Sequence, residues 1–265
     1  MRTSTTLLKA NRRPTSHKGR IRWWSVLFWL VVWQVGAMAM NQQILLVSPL
    51  QVLARLAQLV FELSFWKAAA YSTLRITGGF LIGMVTAIVL AMAAARFRWI
   101  ADLCAPLMLV IQTVPVASFI ILALIFFSSK NLAVFISFLM VLPIFYNGIL
   151  GGIWAVDRQL KEMAQVFKLP LARRIRYIDL PQVLPYFQTT CASALGLCWK
   201  SGIAAEVIGM PAGSIGAKLQ QAKVYLDTPD LFAWTLVIVL ISLAFEKLFM
   251  WLLQKLTQRL EQMPA

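Results

Sequence analysis

A chain of 265 residues that is 60% hydrophobic and only 13% charged lacks the polar surface of a soluble domain, in which about a quarter of residues are charged. Mean hydropathy is +0.75, and several apolar runs reach the roughly 20 residues that cross a bilayer, so the composition describes an all-α integral membrane protein. The net charge of +15 comes from Lys and Arg gathered between apolar runs, as in cytoplasmic loops, and is no footprint for nucleic acid. Three cysteines without ligand spacing exclude a disulfide framework, and a single histidine, His17, excludes a histidine-based catalytic or metal site.

Residues 1–22 hold seven basic groups and no acid, which reads as a cytoplasmic tail that orients the first span. That span covers about Trp23 to Met40. Its Ala37-Met38-Ala39 fits a signal cleavage site, but the segment is Trp-rich and further spans come after it, so it reads as a retained helix. "SPLQVLARLAQLVFEL" is too polar to span. Ser48 can cap it and Pro49 suits a first helical position, which makes it an amphipathic piece at the outer surface. The second span covers about Tyr71 to Ala95, where "GGFLIG" supplies small residues for close helix packing. The third, about Leu103 to Phe127, carries Gln112, Thr113 and Pro115, and proline there breaks the backbone ladder.

"SSKN" turns the chain into a fourth span, about Leu132 to Gly152. A charged insert comes next, then a fifth span, about Leu184 to Ala205. A polar loop with "GMPAGSIG" and "YLDTPD" leads to a sixth, about Leu231 to Leu253, and residues 255–265 form a short tail. Trp23, Trp24, Trp29, Trp33, Trp66 and Trp99 mostly flank spans and read as interface anchors. With the N-terminus inside, the inner segments carry 17 basic groups and the outer ones 6. The bias places both termini and the charged insert in the cytoplasm.

The insert, "KEMAQVFKLPLARRIRYIDLPQVLPYF", is unlike its surroundings. Pro170 fits the first turn of a short helix. Leu171, Ile175 and Ile178 recur at helical spacing, Arg173, Arg174 and Arg176 supply a polar side, and Pro181 and Pro185 stop and turn the chain into the next span. An ordinary positive-inside loop carries charges of the same kind. A rigid cytoplasmic element onto which a soluble motor docks needs the apolar spacing as well.

The insert resembles the cytoplasmic signature of the permease subunits of bacterial ABC importers, which has the form E-A-A, three residues, G, nine residues, I-x-L-P. Glu162-Met163-Ala164 stands at the first triplet, and Ile178-Asp179-Leu180-Pro181 stands at the end with the same spacing. Met163 replaces an alanine. Lys168 replaces the glycine, and would need left-handed backbone geometry to copy its turn. "STLRITGGFLIG", "IQTVPVASFIILALIFF", "AAEVIG" and "SIG" extend the likeness along the chain, most nearly to the nitrate, sulfonate and taurine type. "FFSSKN" departs from that type at the end of the third span.

This resemblance implies a homodimer of permeases that forms the path for a small solute of the nitrate, sulfonate, taurine or vitamin-precursor class in the bacterial inner membrane. It also implies a dimer of ABC ATPases and a periplasmic or extracellular solute-binding protein as partners. Membrane lipid surrounds the chain. ATP and Mg belong to the ATPase, since this chain has no G-x-x-x-x-G-K-[ST] loop; it needs no cofactor of its own and is not an enzyme. The resemblance places Glu162, Ala164, Lys168, Leu169, Pro170, Leu171, Ala172, Arg173 and Arg174 in a coupling surface closed by Ile178, Leu180 and Pro181.

Gln112, Thr113, Pro115, Lys200 and Glu206 are candidates for the solute path, because polar and ionisable groups within spans face protein or water. Lys200 and Glu206 are six apart and do not share a helix face. A self-sufficient secondary transporter or channel is the competing reading; it needs internal repeats and intramembrane acids, and the chain is poor in both.

Overall fold

The computed structural model describes residues 23–40 and 46–262. The basic tail expected over residues 1–22 lies outside the described residues. Among those described there are helices and no strands. The first helix, α1, covers Trp23–Met40 and is apolar but shorter than the membrane-length helices that follow. It lies at the edge of the fold, with the Trp33 ring tilted against Phe232 at 5.7 Å between ring centroids.

The amphipathic piece divides in two. Helix α2 covers Pro49–Val60, and Ser48 caps it as the sequence suggests. The Ser48 hydroxyl accepts from the Gln51 N–H while the Gln51 side chain accepts from the Ser48 N–H, a reciprocal box that satisfies two free donors. The chain then enters α3, Leu63–Arg96, a single helix of 34 residues that begins eight residues before the expected span. Glycines on α3 let α6, Ser129–Trp154, come close. A Cβ on Gly79 would lie 2.7 Å from Ser137 Cβ and against the Val134 backbone, and one on Gly83 would lie 3.0 Å from the Phe138 carbonyl.

The third span is not one straight helix. Helix α4, Arg98–Thr113, and helix α5, Val116–Phe126, meet at a bend of 106°. Pro115 has no N–H to continue the ladder and holds an extended backbone, φ −56 and ψ 135. Pro106 and Pro143, by contrast, lie within α4 and α6 without ending them.

After α6 come two short helices, α7, Arg158–Val166, and α8, Leu171–Arg174. Pro181 and Pro185 do not stop the chain as the sequence suggests. A wide π turn over Ile175–Asp179 runs directly into α9, Leu180–Gly209, so the backbone stays helical from Leu171 to Gly209. Pro181 sits in the first turn of α9 and withholds the N–H that the Tyr177 carbonyl would use. The turn widens there, and Leu180 N–H reaches back to the Ile175 carbonyl.

The polar loop contains an unexpected helix, α10, Ile215–Val224. The last helix, α11, covers Thr228–Gln262 and runs past the expected end of the sixth span. Among the described residues four helices are long and apolar enough to cross a membrane, or five if the bent α4–α5 pair counts as one span. Helices α3, α6 and α9 form the centre, with α6 packed against both of the others. Phe80, Phe145 and Phe249 interlock edge-on within this core.

Candidate coupling segment and solute path

Helix α7 starts on Asp157, whose carboxylate accepts from the Gln159 N–H at 2.8 Å. Glu162 is therefore not the cap. It is exposed in mid-helix and accepts from Arg158 Nε at 2.8 Å. The helix ends in a Schellman turn. Leu169 N–H reaches the Ala164 carbonyl at 2.9 Å and Lys168 N–H reaches the Gln165 carbonyl at 3.0 Å. The residue between must be left-handed, and Lys168 is, at φ 49. The glycine position of the signature is thus the left-handed residue closing α7, and lysine adopts the same geometry at a steric cost.

Ala164 is buried and packs with Val156 and Ile178 in a small core of its own, with Val183 against it. Gln182, on α9, accepts from the Asp157 N–H at 2.9 Å and donates to the Ile178 carbonyl at 3.0 Å. These contacts fix the start of α7 to the base of α9. Arg174 Nε lies 3.4 Å from an Asp179 carboxylate oxygen. The rest of the segment faces outward. Of the three apolar residues at helical spacing, Ile178 is buried, while Leu171 and Ile175 are exposed. Val166, Phe167 and Leu171 are 78%, 71% and 68% exposed, far more than apolar side chains of an inert loop need be. Leu169, Pro170, Ala172, Arg173, Leu180 and Pro181 are exposed beside them.

The path candidates do not gather in one place. Gln112, Thr113 and Pro115 are exposed at the α4–α5 break, where the Thr113 hydroxyl donates to the Leu109 carbonyl at 3.0 Å. Lys200 is exposed on α9. Glu206 is fully buried, so the two ionisable groups lie on different faces, as their spacing implies.

Glu206 belongs to a polar cluster that sequence reasoning missed. The Ser72 hydroxyl, from α3, donates to its carboxyl group at 2.7 Å and accepts from the Ile215 N–H at 2.9 Å. The Gly216 N–H donates to the same Glu206 oxygen at 3.1 Å. Ser214 caps α10 by accepting from the Ala217 N–H at 3.0 Å. Free N–H groups at the start of α10 thus meet acceptors from α3 and α9, where the helix dipole also favours an acid. Gly216 is required by contact, since a Cβ there would lie 2.6 Å from the Glu206 backbone carbon and from Val207 N. Ser214 before an apolar residue was the available signal for this helix start.

On the same side of the protein, Arg55 of α2 pairs with Asp230 of α11. The hydrogen bond to Asp230, with the attraction of nearby carboxylates, holds the guanidinium above its ordinary range. Both residues edge a cleft of about 350 Å³ shared with Glu62, Lys218, Gln221 and Tyr225.

Membrane-length helices around a three-helix core, one of them carrying an exposed amphipathic insert at its base, define a multi-pass membrane transport component. Residues 79–262 match the family described as binding-protein-dependent transport system inner membrane component. The chain belongs to that family and is an ABC transporter permease. It is 26% identical over 235 residues to a probable ABC transporter permease protein of Brucella melitensis, covering 87% of this chain and 91% of that one. It is 27% identical to the riboflavin transport system permease protein of Chloroflexus aurantiacus, covering 89% and 87%. Identity to the taurine transport system permease protein of Escherichia coli is 24%, covering 82% and 80%.

Proposed function

We propose that this chain is the membrane subunit of an ATP-driven importer, forms the path of a small solute, and takes its driving force from a separate ATPase through the segment Asp157–Pro181. The observation that carries the reading is the shape of that segment. It lies within the family match, is anchored to α9 through Gln182 and Ala164, and turns Val166, Phe167 and Leu171 outward beside Arg173. An apolar patch with a cationic rim is what docking into a groove of a partner requires.

In this reading Glu162 and Arg173 orient the dock. Two copies of the permease face each other across the solute path, and an external binding protein delivers the solute to the side that carries α2 and α10. Six spans, with α1 and the bent α4–α5 pair each counted as one, put both termini in the cytoplasm, in keeping with the distribution of Lys and Arg. Gln112, Thr113, Pro115 and Lys200 border the path, and Glu206 holds α10 at its outer end. The sulfonate, nitrate, taurine or vitamin-precursor class of solute agrees with relatives named for riboflavin and taurine.

The test is purification of the tagged chain from bacterial membranes in mild detergent with its neighbouring genes co-expressed. An ATPase should accompany it in stoichiometric amount and be lost when residues 162–181 are scrambled in a variant that still inserts. Solute movement in vesicles by the purified chain alone, without ATP, would overturn the reading.

A further inference from the structure

Lys200 is a positive charge within the stretch Leu171–Gly209, which is long and apolar enough to cross a membrane. It lies nine residues before the outer end of α9, or about 14 Å at the helical rise. Among the described residues it takes part in no ion pair. A lone ammonium at that depth is costly against lipid and is retained where it faces protein or water.

The face that carries it differs from the other outward faces. Thr189, Ser193, Gly196, Leu197, Lys200 and Ala204 recur three and four apart on α9 and are exposed or half-exposed, so they form one stripe. Outward positions in mid-α3 include Ile82, Val85 and Val89, and those in mid-α11 include Val239, Leu240 and Leu243, as lipid contact demands; Lys247, farther along α11, is exposed without a comparable row of hydroxyl-bearing residues before it. The hydroxyls of Thr189 and Ser193 donate to carbonyls of their own helix, at 2.9 Å to Tyr186 and 3.2 Å to Thr189. Their lone pairs remain available to water. Helix α5, which leaves the break at Gln112–Pro115, packs against α9 as well.

We propose that this polar face of α9 lines the solute path and that Lys200 sets its charge preference, favouring small anions such as sulfonates or carboxylates over cations. The proposal rests on the permease reading above, narrows its solute classes to the anionic ones and assigns the residue that selects them. The Lys and Arg of the loops play no part in it, because their positions follow from membrane orientation.

Gly196 is the reporter position. It stands four residues before Lys200, and a Cβ there meets nothing within 4 Å, so Gly196→Cys fits without displacing a neighbour. The natural cysteines Cys104, Cys191 and Cys198 are buried, and the parent chain serves as the blank. In membrane vesicles holding the full chain with its co-expressed partners, the Gly196→Cys thiol is labelled with anionic methanethiosulfonate ethylsulfonate or cationic methanethiosulfonate ethyltrimethylammonium. Nucleotide-free and vanadate-trapped vesicles are both measured, and rates are normalised to a free thiol.

The anionic reagent should be favoured, and Lys200→Gln should lower the anion-to-cation rate ratio about tenfold. Two unit charges about 6 Å apart in water favour one sign about threefold and disfavour the other as much. Lys200→Arg should keep the ratio. If both reagents react and Lys200→Gln leaves the ratio unchanged, the face lines a path but Lys200 does not select. The proposal then fails while the permease reading stands. If neither charged reagent reacts in either state while an uncharged maleimide does, the face lies against lipid or a second copy, and the proposal fails outright. Co-purification of the ATPase reads the permease assignment independently of either result.

Discussion

Ser72→Ala is the sharpest probe of the packing that holds α10. The substitution removes one oxygen from a fully buried site. With it go a hydrogen bond to Glu206 at 2.7 Å and one from the Ile215 N–H at 2.9 Å. The Ile215 N–H is left buried without an acceptor, which costs about 1–3 kcal/mol, and the lost donor to Glu206 adds about 1 kcal/mol. The sum of about 2–4 kcal/mol lowers Tm by about 4–16 °C for a chain of this size.

Ser201→Ala is the matched control. Ser201 is also buried, but its hydroxyl only donates to the Cys198 carbonyl of its own helix, so the loss should stay near 1 kcal/mol. Glu206→Gln keeps an acceptor for both donors and should fall between the two. The assay is thermal unfolding in nanodiscs followed by tryptophan fluorescence, with hydrogen exchange of the α10 amides. Ser72→Ala should speed exchange at Ile215 and Gly216 before any global change. Equal Tm losses in Ser72→Ala and Ser201→Ala, with α10 exchange unchanged, would refute the reasoning.

Glu162→Lys replaces an attraction by a repulsion at the proposed dock and should reduce co-purified ATPase at least about tenfold, with unchanged membrane insertion on immunoblot; unchanged solute uptake would remove Glu162 from coupling. Lys168→Gly relieves the left-handed strain and should raise stability by about 1 kcal/mol, visible as a Tm gain of about 2–4 °C; a loss would mean that the lysine stem packs on something the turn needs. Gly79→Ala presses on α6 and should cost about 1–3 kcal/mol, whereas Gly78→Ala, whose Cβ meets nothing within 4 Å, should be neutral or slightly stabilising. Thermal unfolding of the pair checks this directly.

Much of the fold was legible because lipid imposes a simple rule. Apolar runs long enough to cross became helices, Ser48 capped α2 as its sequence suggests, and the glycines of "GGFLIG" brought α3 onto α6. The breaks were less legible, since proline acts differently according to what surrounds it. Pro115 bends the third span by 106°, Pro143 leaves α6 continuous, and Pro181 is absorbed by a wide turn. None of these outcomes can be had from the residue alone.

At the site, the spacing around Lys168 pointed to a turn, and the backbone shows which turn it is. The partnership of Ser72 with Glu206 was not legible. It joins residues 134 apart through α10, a helix whose polar sequence carries no strong period and which owes its shape to the acceptors at its start.

The unbroken helical path from Leu171 to Gly209 has a mechanical consequence. Its 39 residues measure about 58 Å, enough to reach from one side of a bilayer to beyond the other. A strut of that length has few soft points: the π turn and Pro185 near one end, and little between there and the far end. Tilting the near end by a few degrees therefore displaces the far end by several ångströms without unwinding anything. The far end is where Glu206 holds α10 through the Gly216 N–H, so α10 moves as a passenger of any displacement at Leu171.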